Sequence, residues 1–339
     1  MGNNVNCFSA EKDNEDLDLT PSKDIFGFMR SHIKSKSIDL SLFSLLKEKM
    51  NKLNIEIKTI TKEYMNNLVE KNPQAVSIIE SYTSELNSLL NSSKHENYLP
   101  PLQFINKLDN SIEYYEGEYN SLGEFEGVGL HLFDKNCIYI GQFSKDQYNG
   151  KGLLISNEGN SLYGDYIKGE CTGNGRLIIL GQSDYQGEFT SNVKNGHGVE
   201  KYIDNSIYEG NFINGNKNGQ GKYTFANGEY YEGNFKDDLY EGEGVYEWPE
   251  EGRKYQGQFH LGNIEGNGTT SYSDGSLYKG HYIRGIKEGE GSYTWNNGQK
   301  LVGTWLNNEL HGNGILTANG NKYEIIYRFG KIISSRNIQ

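Results

Sequence analysis

Tyr208-Glu209-Gly210-Asn211-Phe212, then Gly219-Gln220-Gly221-Lys222-Tyr223-Thr224-Phe225, closed by Asn227-Gly228, is one full period of a pattern that fills the chain from position 115 onward. Its first half returns about every 23 residues, in the range that marks solenoids and arrays. The Tyr and Gly positions of the copies are Tyr115 and Gly117, Tyr139 and Gly141, Tyr185 and Gly187, Tyr208 and Gly210, Tyr231 and Gly233, Tyr255 and Gly257, and Tyr278 and Gly280. Two variants complete the series: Tyr163-Gly164-Asp165-Tyr166, which reads as one residue short, and Leu301-Val302-Gly303-Thr304-Trp305. A unit of this size buries its apolar face only by stacking on its neighbours.

Within a period the marked residues stand at i, i+2 and i+4, which in a strand share one face, with Glu, Gln, Lys and Thr on the other. Aromatic residues alternating with polar ones favour strands. Asn214-Gly215 and Arg284-Gly285 lie between the halves, and Asn227-Gly228, Asp274-Gly275 and Asn297-Gly298 at the exits; such pairs supply positive φ for tight turns. One period is therefore a β-hairpin plus a turn into the next. Glycine weakens a strand interior, so its recurrence marks the close approach of another group. The expected group is an aromatic ring of the adjacent hairpin.

The pattern Tyr-Glu-Gly-Asn-Phe, Gly-x-Gly-x-Tyr-x-Phe/Trp, Asn-Gly resembles the MORN (membrane occupation and recognition nexus) repeat, in nine copies over roughly 115–322. A degenerate tenth begins Tyr323-Glu324-Ile325-Ile326-Tyr327, where Ile325 replaces the glycine and suggests a capping hairpin. The resemblance implies a mainly β, single-layer solenoid of stacked antiparallel hairpins over 112–333. It also implies roles in membrane–cytoskeleton or organelle organisation.

The chain has 339 residues, 42 Gly, 25 Tyr and a net charge of −12. Residues 111–339 carry 20 basic against 30 acidic side chains, a poor footprint for nucleic acid. The only concentration of cations is Arg253, Lys254, Lys279, Lys287 and Lys300, the candidate contacts to lipid or partner. Cys7, Cys137 and Cys171 are far apart with no Cys-x-x-Cys, which fits a reducing compartment and gives no metal site. His197 and His311 lie near Gly-x-Gly elements without ligand spacing. None of the Gly-x-Gly pairs extends to Gly-x-Gly-x-x-Gly, and no phosphate loop, nucleophile elbow or kinase signature is present. Glu118, Glu188 and Glu209 recur in frame and belong to the polar sheet face. No catalytic site, cofactor or metal is expected.

Residues 37–93 change character. Phe43, Leu46, Met50, Leu53, Ile57, Ile60 and Tyr64 follow helical spacing, and Asn72-Pro73 opens a second helix carrying Val76, Ile79, Leu86, Leu89 and Leu90. This α-helical region reads as a helical hairpin or as a short, dimerising coiled coil. Residues 94–111, with Pro100-Pro101, read as a linker, and 1–36 as a polar, mobile segment. Met1-Gly2-Asn3-Asn4-Val5-Asn6-Cys7 resembles an N-myristoylation signal with Gly2 as acceptor, departing from it at Asn6. One acyl chain binds membranes only marginally, and Cys7 is the candidate for a second, palmitoyl chain.

These observations lead to a non-catalytic scaffold. Its array is expected to hold a protein partner at the cytoplasmic face of a membrane or cytoskeletal structure. The alternatives are a phospholipid-headgroup binder and a regulatory subunit of a separate lipid kinase.

Overall fold

A computed structural model describes residues 98–105, 112–133, 137–156 and 158–338, together with Ser88. The segment 1–36 with Gly2 and Cys7 and the helices expected over 37–93 lie outside the described residues, Ser88 apart. The chain divides into two units between Gly196 and His197.

The first unit contains β1 (Tyr98–Ile105), β2 (Ile112–Tyr119), β3 (Phe125–Phe133) and β4 (Cys137–Ser144). It continues with β5 (Gln147–Ile155), β6 (Ser161–Ile167), β7 (Glu170–Ile179) and β8 (Ser183–Thr190). Strand β9 (Val193–Tyr202) crosses the division. In the second unit lie β10 (Ile207–Ile213), β11 (Asn216–Thr224), β12 (Tyr230–Lys236) and β13 (Leu239–Trp248). After them come β14 (Arg253–His260), β15 (Asn263–Ser271), β16 (Leu277–Ile283) and β17 (Ile286–Thr294). The last are β18 (Lys300–Leu306), β19 (Glu309–Ala318), β20 (Asn321–Arg328) and β21 (Lys331–Asn337). Within β1–β8 and within β10–β21 each strand pairs antiparallel with the next, so each unit is a single layer of stacked hairpins.

The stretch read as a linker contains β1, which pairs with β2. Its register slips between Leu99 and Leu102, and this is where Pro100-Pro101 sits. Proline has no N–H to give a ladder, so the pair fits a strand at a bulge and not at a regular paired position.

Two-residue turns close the hairpins within a copy. Asn214-Gly215, Asp237-Asp238, Arg284-Gly285 and Asn307-Asn308 all have positive φ at both positions, as the right-handed twist of hairpin strands requires. At the exits the glycine alone takes positive φ: Gly228, Gly275 and Gly298. There Asn227 and Asn297 use their side-chain oxygens to accept from the N–H two residues on.

Register puts the glycines in a row across the strands. In the second unit Gly221 faces Gly233, which faces Gly244, and the row runs on through Gly257, Gly268, Gly280, Gly291, Gly303 and Gly314. From Gly221 to Gly291 the group lying over it is not the ring of an adjacent hairpin, as the sequence suggested, but the tyrosine of the same hairpin, two residues before the first glycine of each pair and on the strand facing the second. A Cβ on Gly233 would meet Tyr231 Oη at 2.6 Å and the Gly244 Cα at 2.7 Å. The hydroxyl reaches past its own glycine to the Asn234 carbonyl, to which it donates at 2.7 Å; Tyr115, Tyr139, Tyr185, Tyr208, Tyr255 and Tyr278 repeat the bond. What the adjacent hairpin supplies is an edge. Tyr231 stands edge-to-face between Phe235 of its own copy and Phe259 of the next, at centroid distances of 5.1 and 4.8 Å. Tyr208, Tyr255 and Tyr278 are held in the same way.

The copy that reads as one residue short is complete. Gly152 faces Gly164 and Leu154 faces Leu162, so Leu162 occupies the tyrosine position, as Leu301 does in the ninth copy. Both leucines are buried. Under Leu301 the glycine row is less crowded: a Cβ on Gly303 finds its nearest atoms at 3.3 Å, whereas Gly257 has three at 2.5–2.6 Å. Gly303→Ala is therefore expected to cost under about 1 kcal/mol and Gly257→Ala about 1–3 kcal/mol, measured by thermal melting of the two variants. In the tenth copy Ile325 takes the glycine position and is buried with Leu301 and Tyr327, with Leu310, Leu316 and Trp295 packed around them.

Candidate functional site

The register that buries the tyrosine floor also creates a second position in each copy, two residues before the first glycine of Gly-x-Gly. Between Gly233 and Phe235 the pairing shifts, so that Gly233 faces Gly244 while Phe235 faces Tyr240. Tyr240 thereby comes to lie flat on Tyr231, with centroids 3.8 Å apart and planes at 19°. In the first unit Phe125 stacks on Tyr115 at 3.5 Å and Tyr148 on Tyr139 at 3.7 Å. Other copies place a lysine there. Lys194 Nζ lies 5.4 Å from the centre of the Tyr185 ring, Lys217 5.6 Å from Tyr208 and Lys287 4.8 Å from Tyr278. A cation over a ring face is attracted by its quadrupole, so lysine replaces a stacked ring here without loss of contact.

A further row of rings lines the same face of the second unit: Tyr202, Tyr223, Phe225, Tyr246, Trp248, Tyr272, Tyr293 and Trp295, all half-buried. Neighbours touch, as Tyr223 with Phe225 at 4.8 Å, Tyr246 with Trp248 at 4.3 Å and Tyr293 with Trp295 at 5.0 Å. Several are pinned by their hydroxyls. Ser206 Oγ bonds Tyr223 Oη at 2.8 Å and Ser276 Oγ bonds Tyr293 Oη at 2.6 Å, while Tyr246 donates to Glu229 and Tyr202 to Glu200. Asp204 and Asp274 hold the two serines through short hydrogen bonds, which lower the pKa of both carboxyls. Rings with fixed orientation and one open side form a preorganised apolar surface.

The opposite face is polar. Glutamine and glutamate at the fourth position of Tyr-x-Gly-x-Phe reach across the bulge and accept the N–H that the register shift leaves free: Gln142 from Lys151, Gln258 from Asn267 and Glu118 from Val128. Glu118 thus has a structural task on that face.

The five cations singled out in the sequence do not come together. Arg253 pairs in register with Trp248 and shares the ring face with Lys287; the Arg253 guanidinium carbon lies 3.9 Å from the Trp248 ring centre. Lys254, Lys279 and Lys300 alternate with Tyr255, Tyr278 and Leu301, and so stand on the polar face, where Lys254 pairs with Glu247 at 3.4 Å. The Tyr and Gly positions, by contrast, assemble into the two rows described. The lysine-or-ring position was missed in the sequence, although its fixed offset of two residues before Gly-x-Gly was there to find.

A family model described as the MORN repeat matches residues 139–161, 185–207, 208–230, 231–253, 255–277, 278–300 and 302–322. The chain carries a MORN-repeat array. The copies beginning at Tyr115 and at Leu162 fall outside the matched spans of this MORN array, although their strands follow the same register. A comparison with curated proteins gives no match. Among solved structures, the TCP10 domain of Danio rerio CPAP, in complex with a peptide of STIL, is 11% identical with a TM-score of 0.40. That likeness covers 70% of this chain and 99% of the other. The TCP domain of Drosophila melanogaster SAS-4, in complex with a proline-rich motif of Ana2, is 12% identical with a TM-score of 0.29, over 63% and 96% of the two chains.

Proposed function

We propose that this chain is a non-catalytic scaffold whose ring-bearing face binds a segment of a protein partner. The observation that carries the reading is the row of half-buried, hydroxyl-pinned rings from Tyr202 to Trp295. Tyrosine and tryptophan are the residues that dominate protein interfaces, because they bury large area with few torsions to freeze. The separation of Lys254, Lys279 and Lys300 from Arg253 and Lys287 leaves these five cations without a single basic patch among the described residues for an anionic bilayer, which favours a protein over a lipid headgroup.

The place of action proposed is the cytoplasmic side of a membrane or a cytoskeletal structure, reached through a myristoyl chain on Gly2 and a palmitoyl chain on Cys7. Two chains give stable residence and one gives exchange. Gly2→Ala is therefore expected to release the protein from membranes, and Cys7→Ser to leave a weak, exchanging pool, as measured by fractionation of cells. An intact-mass measurement showing an unmodified Gly2 would end the acylated version and leave a scaffold free of the bilayer.

The partner is reached by proximity labelling with the wild type and with a Tyr246→Ser/Tyr293→Ser variant of unchanged melting temperature. The expected result is one set of neighbours lost from the variant. An identical set from both would refute the ring face as the binding surface.

A further inference from the structure

Lys217 and Lys287 occupy the same position in two copies, and their surroundings differ in one respect. Lys217 Nζ lies among the rings of Tyr202, Tyr208 and Tyr223, at 5.2, 5.6 and 5.5 Å, and pairs with Asp238 at 3.6 Å. Lys287 Nζ lies among Tyr272, Tyr278 and Trp305, at 5.2, 4.8 and 5.3 Å. The residue equivalent to Asp238 in this copy is Asn308. Both accept the lysine's own backbone N–H through Oδ1, Asp238 at 2.8 Å and Asn308 at 2.9 Å, so the turn is conserved in geometry while its charge is gone. No carboxylate among the described residues pairs with Lys287. The charge it feels is that of Arg253, and burial together with that guanidinium pulls its ammonium below the usual lysine range.

One further donor in this neighbourhood lacks an acceptor. Trp305 Nε1, on the ring that flanks Lys287, is buried without a hydrogen-bond partner among the described residues. A buried donor left unpaired is destabilising, because it has given up water without gaining an acceptor. A cation without a carboxylate of its own, beside an unsatisfied N–H and apolar walls, calls for an anion with acceptor oxygens.

We propose that Lys287, walled by Tyr272, Tyr278 and Trp305, forms a subsite for the carboxylate of an aspartate or glutamate in the partner segment. The proposal rests on the reading of the ring face as the partner-binding surface and adds what that surface selects. The array is acidic overall, with 20 basic against 30 acidic side chains after residue 110, so a cationic subsite without its own carboxylate on the apolar face fixes the register of a bound segment more sharply than rings alone. Lys217 does not compete for the ligand, because Asp238 already supplies its carboxylate.

The test uses the full-length protein as bait for a displayed library of random peptides, and fluorescein-labelled copies of the selected peptides in anisotropy titrations. Selected peptides are expected to share one Asp or Glu. Their affinity is expected to fall at least about tenfold with Lys287→Met, which keeps the apolar stem, and with Asn308→Asp, which restores an internal carboxylate. Changing the shared acid to its amide should weaken binding to the wild type by a similar factor and leave binding to Lys287→Met unaltered. Peptides that need Tyr246 and Tyr293 but carry no common acid, or that ignore Asn308→Asp, would overturn the subsite and leave the ring face standing. Selection of no peptide dependent on those rings would overturn both. Displacement of the peptide from the wild type, but not from Lys287→Met, by phosphatidylserine vesicles would assign Lys287 to a lipid headgroup and reject the peptide carboxylate.

Discussion

Gly233→Val is expected to lower the melting temperature of the array far more than Glu232→Val, one residue away. Glu232 is exposed on the polar face, where a β-branched residue suits a strand. At Gly233 the first added carbon meets Tyr231 Oη at 2.6 Å, the Gly244 Cα at 2.7 Å and the Glu243 carbonyl oxygen at 2.8 Å. Two of the three obstacles are backbone of the facing strand, so a rotamer change cannot clear them. Either the tyrosine leaves its site or β12 and β13 part. Overpacking of this kind costs about 1–3 kcal/mol or more. Tyr231→Ala removes the ring that Phe235, Tyr240 and Phe259 pack against, with an expected loss of about 3–5 kcal/mol. Tyr231→Phe, which forfeits only the bond to the Asn234 carbonyl, should cost about 1 kcal/mol. Equal melting temperatures for Gly233→Val and Glu232→Val would show that the glycines serve flexibility and not space.

Alkali is expected to unfold the second unit abruptly. Burial pushes the phenols of Tyr272 and Tyr278 up to about 12, and those of Tyr208, Tyr231 and Tyr255 higher still. Below the ordinary phenol value of about 10 both the folded and unfolded chains are protonated, and stability is unaffected. Above it the unfolded chain loses protons that the fold retains, so stability falls with rising pH by about 1.4 kcal/mol per pH unit for each such tyrosine. The four floor tyrosines of the second unit, Tyr208, Tyr231, Tyr255 and Tyr278, together give about 5 kcal/mol per pH unit, against a total stability of about 5–15 kcal/mol for a domain. Loss of sheet circular dichroism and the appearance of tyrosinate absorbance should therefore coincide, within one or two units above about pH 10. Gradual tyrosinate absorbance with the sheet signal intact would show that the floor is open to hydroxide.

The hairpins, their order and the paired positive-φ turns were legible because period, alternation and turn residues all repeat, and repetition averages out local exceptions. Two things were not. The ring over most of the glycines was ascribed to a neighbouring hairpin, because sequence spacing shows which residues share a face but not that a tyrosine lies along its own strand to bond the carbonyl three residues on; at Gly175, in a copy whose floor residue is leucine, Phe189 of the next hairpin does supply the ring. The cations between 253 and 300 read as one cluster, since proximity in sequence ignores the strand alternation that sends Arg253 and Lys254 to opposite faces. The strand at Tyr98–Ile105 was hidden by its two prolines, which mark a breaker unless the partner strand is known.

The position two residues before each Gly-x-Gly works like a letter that can be changed in a fixed line of type. In the first unit it reads Phe125, Tyr148, Cys171, Lys194; in the second Lys217, Tyr240, Ile264, Lys287, Leu310. The bulge that presents it is shaped by the glycines and the floor residue; Phe125, Tyr148 and Cys171 are fully buried there, whereas Lys194 and the five residues of the second unit keep part of their surface open and are the ones a partner can read. A family built this way can drift in what it recognises, copy by copy, while every hairpin keeps its shape. An engineer can rewrite the same letters, exchanging ring, cation and aliphatic, without redesigning the sheet beneath.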